Sequence, residues 1–179
     1  MRAIKLYLTY FVVFFSPIQN LNALEQTTFF KIFSGICVNS IHDLDLIKNL
    51  SKLENWQTLP EDYKPMVAPL DYDNFDAWYF KKENINIIIG ISDFTQSGVT
   101  QNACTLATNK GNYEINEKLL IEFYEVKLID ELKQGIQTSK VFELKHAFFK
   151  EVYVQTLKDN RKSEDNNLAN FGVVATISK

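Results

Sequence analysis

The chain has only two cysteines, and one of them, Cys104, lies in Asn102-Ala103-Cys104-Thr105-Leu106-Ala107-Thr108, a run that reads as a central strand. Its one available partner is Cys37. A Cys37–Cys104 bond would tie an N-terminal helix to the middle of a sheet, and it constrains the architecture more than any other feature of the sequence. The alternative is two separate buried thiols. For a loop this long, chain entropy alone gives about 4 kcal/mol of stabilisation to such a bond.

The compartment favours the pairing. Arg2 and Lys5 precede an apolar block from Leu6 to Phe15, a break at Ser16-Pro17 and a small residue at Ala23, which is the layout of a secretory signal peptide. Residues 1–23 are expected to be removed, although Leu21 is larger than the small residue usual two places before the cut. The apolar block is short of the roughly 20 residues that span a bilayer, so an uncleaved anchor is the lesser alternative. No cysteine lies near the cut to carry a lipid. A periplasmic or secreted protein with no membrane span after cleavage is the expectation, and oxidising compartments keep disulfides.

Losing Arg2 and Lys5, with no acidic residue in the same stretch, leaves the mature chain more acidic than the formal −3 of the full sequence. A nucleic-acid surface needs the opposite balance. Residues 24–179 suit one domain large enough to bury a core of its own.

Along the chain, Phe29, Phe33 and Ile36 recur at helical spacing within Gln26 to Ile36, giving a short helix that delivers Cys37. Ser40-Ile41-His42-Asp43 has the capping-box arrangement, and Leu46, Ile47, Leu50 and Leu53 form one stripe of a helix from Ile41 to Glu54. Trp56 to Phe75 holds Pro60, Pro65 and Pro69 and no regular period, so it reads as a long surface connection. Asp76 to Lys82 and Ile85 to Ser92 read as strands around a turn at Glu83-Asn84. Ile85, Ile87, Ile89 and Ile91 share one face, Ile88 and Gly90 the other; Gly90 marks a bulge or a close neighbour. Glu114 to Lys127 reads as an amphipathic helix, and Leu128 to Gln134 either prolongs it or turns. Gln137–Leu144, Phe149–Leu157 and Phe171–Ile177 are further strand candidates, with Arg161–Asn167 an exposed loop. The fold class is α+β: a mostly antiparallel sheet of five or six strands with two or three helices packed against it.

Chemistry-bearing patterns are few. His42 and His146 are far apart in sequence and have no companion ligands, so no metal or cofactor is expected. Asp71-Tyr72-Asp73-Asn74-Phe75-Asp76 lacks the glycine and distant glutamate of a calcium loop, and neither Ser34-Gly35 nor Ser97-Gly98 fits a nucleophile elbow. The aromatics Trp56, Tyr72, Phe75, Trp78, Tyr79 and Phe80 cluster in and after the proline-rich connection. Core filling explains them, and so does a binding surface made by Trp56, Tyr72, Phe75 and Trp78. Two functions follow: a module of the cell envelope that binds a protein or small molecule, or a small periplasmic hydrolase using Asp71, Asp73 or Asp76 with His42 or His146.

The signal peptide, the Phe33-x-x-x-Cys37 helix end, Asp76-Ala77-Trp78 and Ala103-Cys104-Thr105-Leu106-Ala107-Thr108, in that order, resemble a group of small exported proteobacterial proteins of uncharacterised function. The resemblance spans most of the mature chain. It implies a periplasmic single domain with one disulfide, and neither an activity nor catalytic residues.

Overall fold

The computed structural model describes residues 18–68, 74–96, 98–134, 137–146, 152–159 and 171–178. Eight strands form one antiparallel sheet: β1 (Gln57–Thr58), β2 (Asn74–Lys82), β3 (Ile85–Gln96), β4 (Val99–Thr108), β5 (Val126–Gln134), β6 (Gln137–Leu144), β7 (Val152–Asp159) and β8 (Phe171–Ser178). Their spatial order is β1-β2-β3-β4-β8-β7-β6-β5. The first four strands pair in sequence order and so do the last four, and β4 meets β8 where the two sets join.

Helices α1 (Ile18–Ile32), α2 (Leu44–Leu53) and α3 (Tyr113–Phe123) accompany the sheet. The α+β class and the antiparallel sheet hold, but the strands among the described residues number eight rather than five or six. The two additional ones are β1, too short to carry a period, and β5, which takes Val126 and Lys127 from the helix expected to reach Lys127 and includes the stretch expected either to prolong that helix or to turn. Leu128, Ile129 and Leu132 have helical spacing, yet hairpin pairing from Val126↔Leu144 to Gln134↔Gln137 satisfies that backbone as a strand.

One face of the sheet is covered by helices. The main core joins Ile85, Ile87, Ile89 and Ile91 of β3 with Cys104 and Leu106 of β4, Val152 and Val154 of β7, and Phe29, Phe33, Val38, Ile47 and Leu120 from the helical layer. Alternation along β3 therefore runs as the isoleucine pattern predicts. Between α1 and α2, Phe33–Val38 is a π-helical turn that buries Phe33, Cys37 and Val38 together. Cys37 is disulfide-bonded to Cys104, with Cα atoms 5.2 Å apart and both residues fully buried. The disulfide sits where the helical layer meets a central strand.

Asp43, rather than Ser40, caps α2: its carboxylate accepts from the Asp45 amide at 3.1 Å, while the Asp43 amide donates to the Ser40 carbonyl. The opposite face is covered over β2–β4 by the stretch after β1. There Leu59 and Val67 bury themselves against Phe75, Ala77, Ile88 and Ala107 in a second, smaller core. This stretch contains a 3-10 helix, Glu61–Met66, so the connection expected to lack regular structure has two short elements. Among the described residues, no helix is long and apolar enough to cross a membrane. The expected loop Arg161–Asn167 lies outside the described residues, as does the start of the strand expected at Phe149.

Candidate functional site

Of the four residues expected to form a binding surface, the three described ones, Trp56, Phe75 and Trp78, do not share one face of the sheet. Strand alternation sends Trp78 and Phe80 to the helix-covered face and Phe75, Ala77 and Tyr79 to the other. Trp56 follows α2, its amide donating to the Ser51 carbonyl at 2.9 Å, and stacks on Phe80 with ring centroids 4.4 Å apart and planes 13° from parallel. Trp56 and Trp78 both pack, partly buried, against the main core. Phe75 is buried in the smaller core. Tyr72 lies outside the described residues.

Phe75 also accounts for Gly90. A Cβ at Gly90 would stand 2.5 Å from Phe75 Cζ and 2.6 Å from Cε2, so of the two readings of this glycine the structure has the close neighbour. The ring occupies the space a side chain on β3 would need, and Phe75 is held as a packing element.

Two tyrosines on the same side remain outward. Tyr79, expected in the aromatic set, is 40% exposed, and Tyr63, in the 3-10 helix, is 43% exposed. The segment carrying Tyr63 is tied to β2 by a backbone hydrogen bond at its start, closed on itself by local ones at its end, and buried there through Val67. The Leu59 amide donates to the Ala77 carbonyl at 2.9 Å, and the Val67 and Ala68 amides donate to the Lys64 carbonyl. Lys64 and Glu61 pair at 2.7 Å across one turn. Sequence reading passed over Tyr63 because a single tyrosine among Glu61, Asp62, Lys64 and Pro65 has no periodic partner. Its signal was the contrast between a large ring and charged, proline-flanked neighbours.

A second polar assembly links α3 to β6 and β7. Tyr113 is buried, with its hydroxyl 3.2 Å from Thr156 Oγ1. The ammonium groups of Lys140 and Lys158 stand 5.8 Å and 5.5 Å from its ring centroid. Each ammonium is also neutralised: Lys140 by Glu117 at 2.6 Å, Lys158 by Glu114 at 2.7 Å. Burial pushes the Tyr113 phenol above its ordinary value, and the hydrogen bond to Glu117 raises Lys140. The hydrogen bond from Lys158 holds Glu114 below the usual carboxylate range. Every charge here has a partner, so the cluster fastens α3 to the sheet. Its members lie too far apart in sequence for spacing to reveal them.

A third knot anchors α1. Gln26 is buried; its amide nitrogen donates to the Lys110 carbonyl at 2.7 Å, and its oxygen accepts from the Asn112 amide at 2.9 Å and from Asn116 Nδ2 at 2.6 Å.

No family model, curated protein or solved structure matches the chain. What it does must therefore be argued from its own groups.

The groups named for hydrolysis are distributed as follows. His42 is exposed ahead of α2, just after Ile41, whose carbonyl receives Asn102 Nδ2 from β4. His146 lies past the end of β6. Strands β4 and β6 are three places apart in the sheet, roughly 14 Å at ordinary strand spacing. Asp76 forms an ion pair with Lys48 of α2 at 3.1 Å. Asp71 and Asp73 lie outside the described residues. Among the described residues, no group of three or more His, Cys, Asp or Glu side chains is gathered to hold a metal ion.

Proposed function

We propose that this is an exported, periplasmic binding module of the cell envelope, and that it engages a protein partner through the outward side of residues 57–68 and β2. The observation that carries the reading is the pair Tyr63 and Tyr79. Both rings are substantially exposed on elements whose backbones are fixed by sheet pairing, the 3-10 helix and a small core beneath. A tyrosine offers a large apolar area and a polar tip for little conformational entropy, and aromatic anchors dominate many interfaces. Held in advance, such rings lose little freedom on binding.

Export is supported by the basic-apolar-small pattern at the N-terminus together with a fully buried disulfide, a bond that oxidising compartments maintain. The resemblance to small exported proteobacterial proteins points the same way. The hydrolase alternative has less support, since the two histidines adjoin separated strands and Asp76 is engaged with Lys48.

Native mass spectrometry of protein purified from its own envelope fraction tests the reading. The expected result is a protein-sized adduct that is lost in Tyr63→Ala/Tyr79→Ala while circular dichroism is unchanged. An adduct that persists in the double variant, or a small molecule in its place, counts against it.

A further inference from the structure

The two ends of the sheet are unlike. At one end β1 is only two residues long, whereas β5 at the other runs for nine, Val126–Gln134, and among the described residues pairs on one side alone, with β6. Leu128, Ile129 and Leu132 on β5 are each about half exposed, and Ile121 and Phe123, at the end of α3 immediately before it, more so. A long edge that pairs on one side and carries half-exposed Leu128, Ile129 and Leu132 is a template for another strand, and its charged residues then decide which strand fits.

We propose that β5 is the self-association edge of this protein, pairing antiparallel with β5 of a second copy about a two-fold axis between Leu128 and Ile129. The β-bulge between Leu128 and Asp130 selects this occupant. Before it, Val126 and Leu128 share the helix-covered face; beyond it, Glu131 and Lys133 take that face, opposite Lys140 and Thr138, while Asp130 and Leu132 take the other. A bulge ordinarily defends an edge, because a straight incoming strand matches faces on one side of it and mismatches them on the other. A second copy carries the same reversal. Antiparallel pairing sets the stretch before the bulge of one chain against the stretch after the bulge of the other, and like faces meet on both sides of the bulge.

Charge fixes the register. With the axis between Leu128 and Ile129, Lys127 opposes Asp130 twice and Leu128 opposes Ile129 twice at the centre. Moving the axis by one residue, to lie between Ile129 and Asp130, sets Lys127 against Leu132 and Leu128 against Glu131. Opposite charges directly across a strand pair stabilise and like charges destabilise it, so the first register is preferred.

Sedimentation velocity of the mature protein over a wide concentration range tests this. A reversible dimer is expected, and Ile129→Lys, which alters a half-exposed side chain at the axis, should abolish it. Asp130→Lys, facing Val141 within its own chain, should weaken the dimer about tenfold, and adding Lys127→Asp should restore most of the affinity. Lys127 also faces Glu143 in its own chain, so thermal melts of each variant separate loss of association from loss of fold. A protein monomeric at every concentration, or a dimer indifferent to Ile129→Lys, overturns the proposal. A dimer lost in Ile129→Lys but untouched by the charge variants overturns the register.

Discussion

At the scale of single residues, the contact between Gly90 and Phe75 sets a local limit on β3. Gly90→Ala places a methyl group within 2.6 Å of two ring carbons, and the ring must leave its seat among Leu59, Val67 and Ala77. Such overpacking costs about 1–3 kcal/mol. Urea denaturation should detect it, and Phe75→Leu combined with Gly90→Ala should recover part of the loss, because a shorter side chain vacates the space. The glycine was legible in the sequence as an interruption of the isoleucine run. The ring that requires it was not, since Phe75 reads equally well as an exposed aromatic at the entry to a strand. Tyr113 offers a second test. It and Lys140 hold their protons more tightly in the folded chain, one through burial and the other through Glu117. Their contribution is therefore full below about pH 10, near the ordinary tyrosine and lysine values, and declines as pH rises beyond it. Tyr113→Phe should cost about 1 kcal/mol at neutral pH through the lost contact with Thr156, and should show a shallower fall in melting temperature in alkali. At the acid end, Glu114 is shifted down by Lys158. Its contribution is present above the ordinary value of 4.5 and is lost as pH falls through its lowered one.

At the scale of elements, the disulfide joins the π-helical turn to β4 across 67 positions of sequence. Replacing both cysteines by alanine removes a constraint on the unfolded chain worth about 4 kcal/mol. A lowered denaturation midpoint with the same circular dichroism spectrum is the expected outcome, and unchanged stability would count against it. Because both cysteines are fully buried, reductant added to native protein should act only as fast as the chain unfolds. Mass measurement after alkylation follows this directly. The pairing was legible because only two cysteines exist and the N-terminal pattern led to the expectation of an oxidising compartment. The strand β5 was not. Its apolar spacing fits a helix, and only tertiary pairing with β6 decides between the two. The cap of α2 was displaced for a similar reason: Ser40 and Asp43 both accept hydrogen bonds at a helix start, and the backbone dihedrals of Asp43, φ −137° and ψ 93°, make it the last extended residue. For the candidate site, the sequence pointed to the stretch from Trp56 to Phe75 with Trp78, and named Tyr79 only among the clustered aromatics. It could not assign the aromatics to faces, because that depends on the register of β2 against β3.

At the scale of the whole molecule, β8 joins two sets of strands. It pairs with β4 from Gln101↔Ser178 to Thr108↔Phe171 and with β7 from Val152↔Ile177 to Lys158↔Phe171. A chain ending at residue 170 retains every other strand pairing yet has nothing in the sheet between β4 and β7. Such a truncation should lose the single cooperative unfolding transition expected of the intact chain, with broadened or separate transitions by calorimetry.

The position of β8 also sets an order in time. A ribosome releases the N-terminal part of a chain first, and for this fold that part cannot complete the sheet: the strand that closes it emerges after the other seven. Until then β4 has an open side and the hairpins that follow it have no fixed attachment. Chains arrested before residue 171 should be cut readily by protease, and release of the final strand should confer resistance in one step.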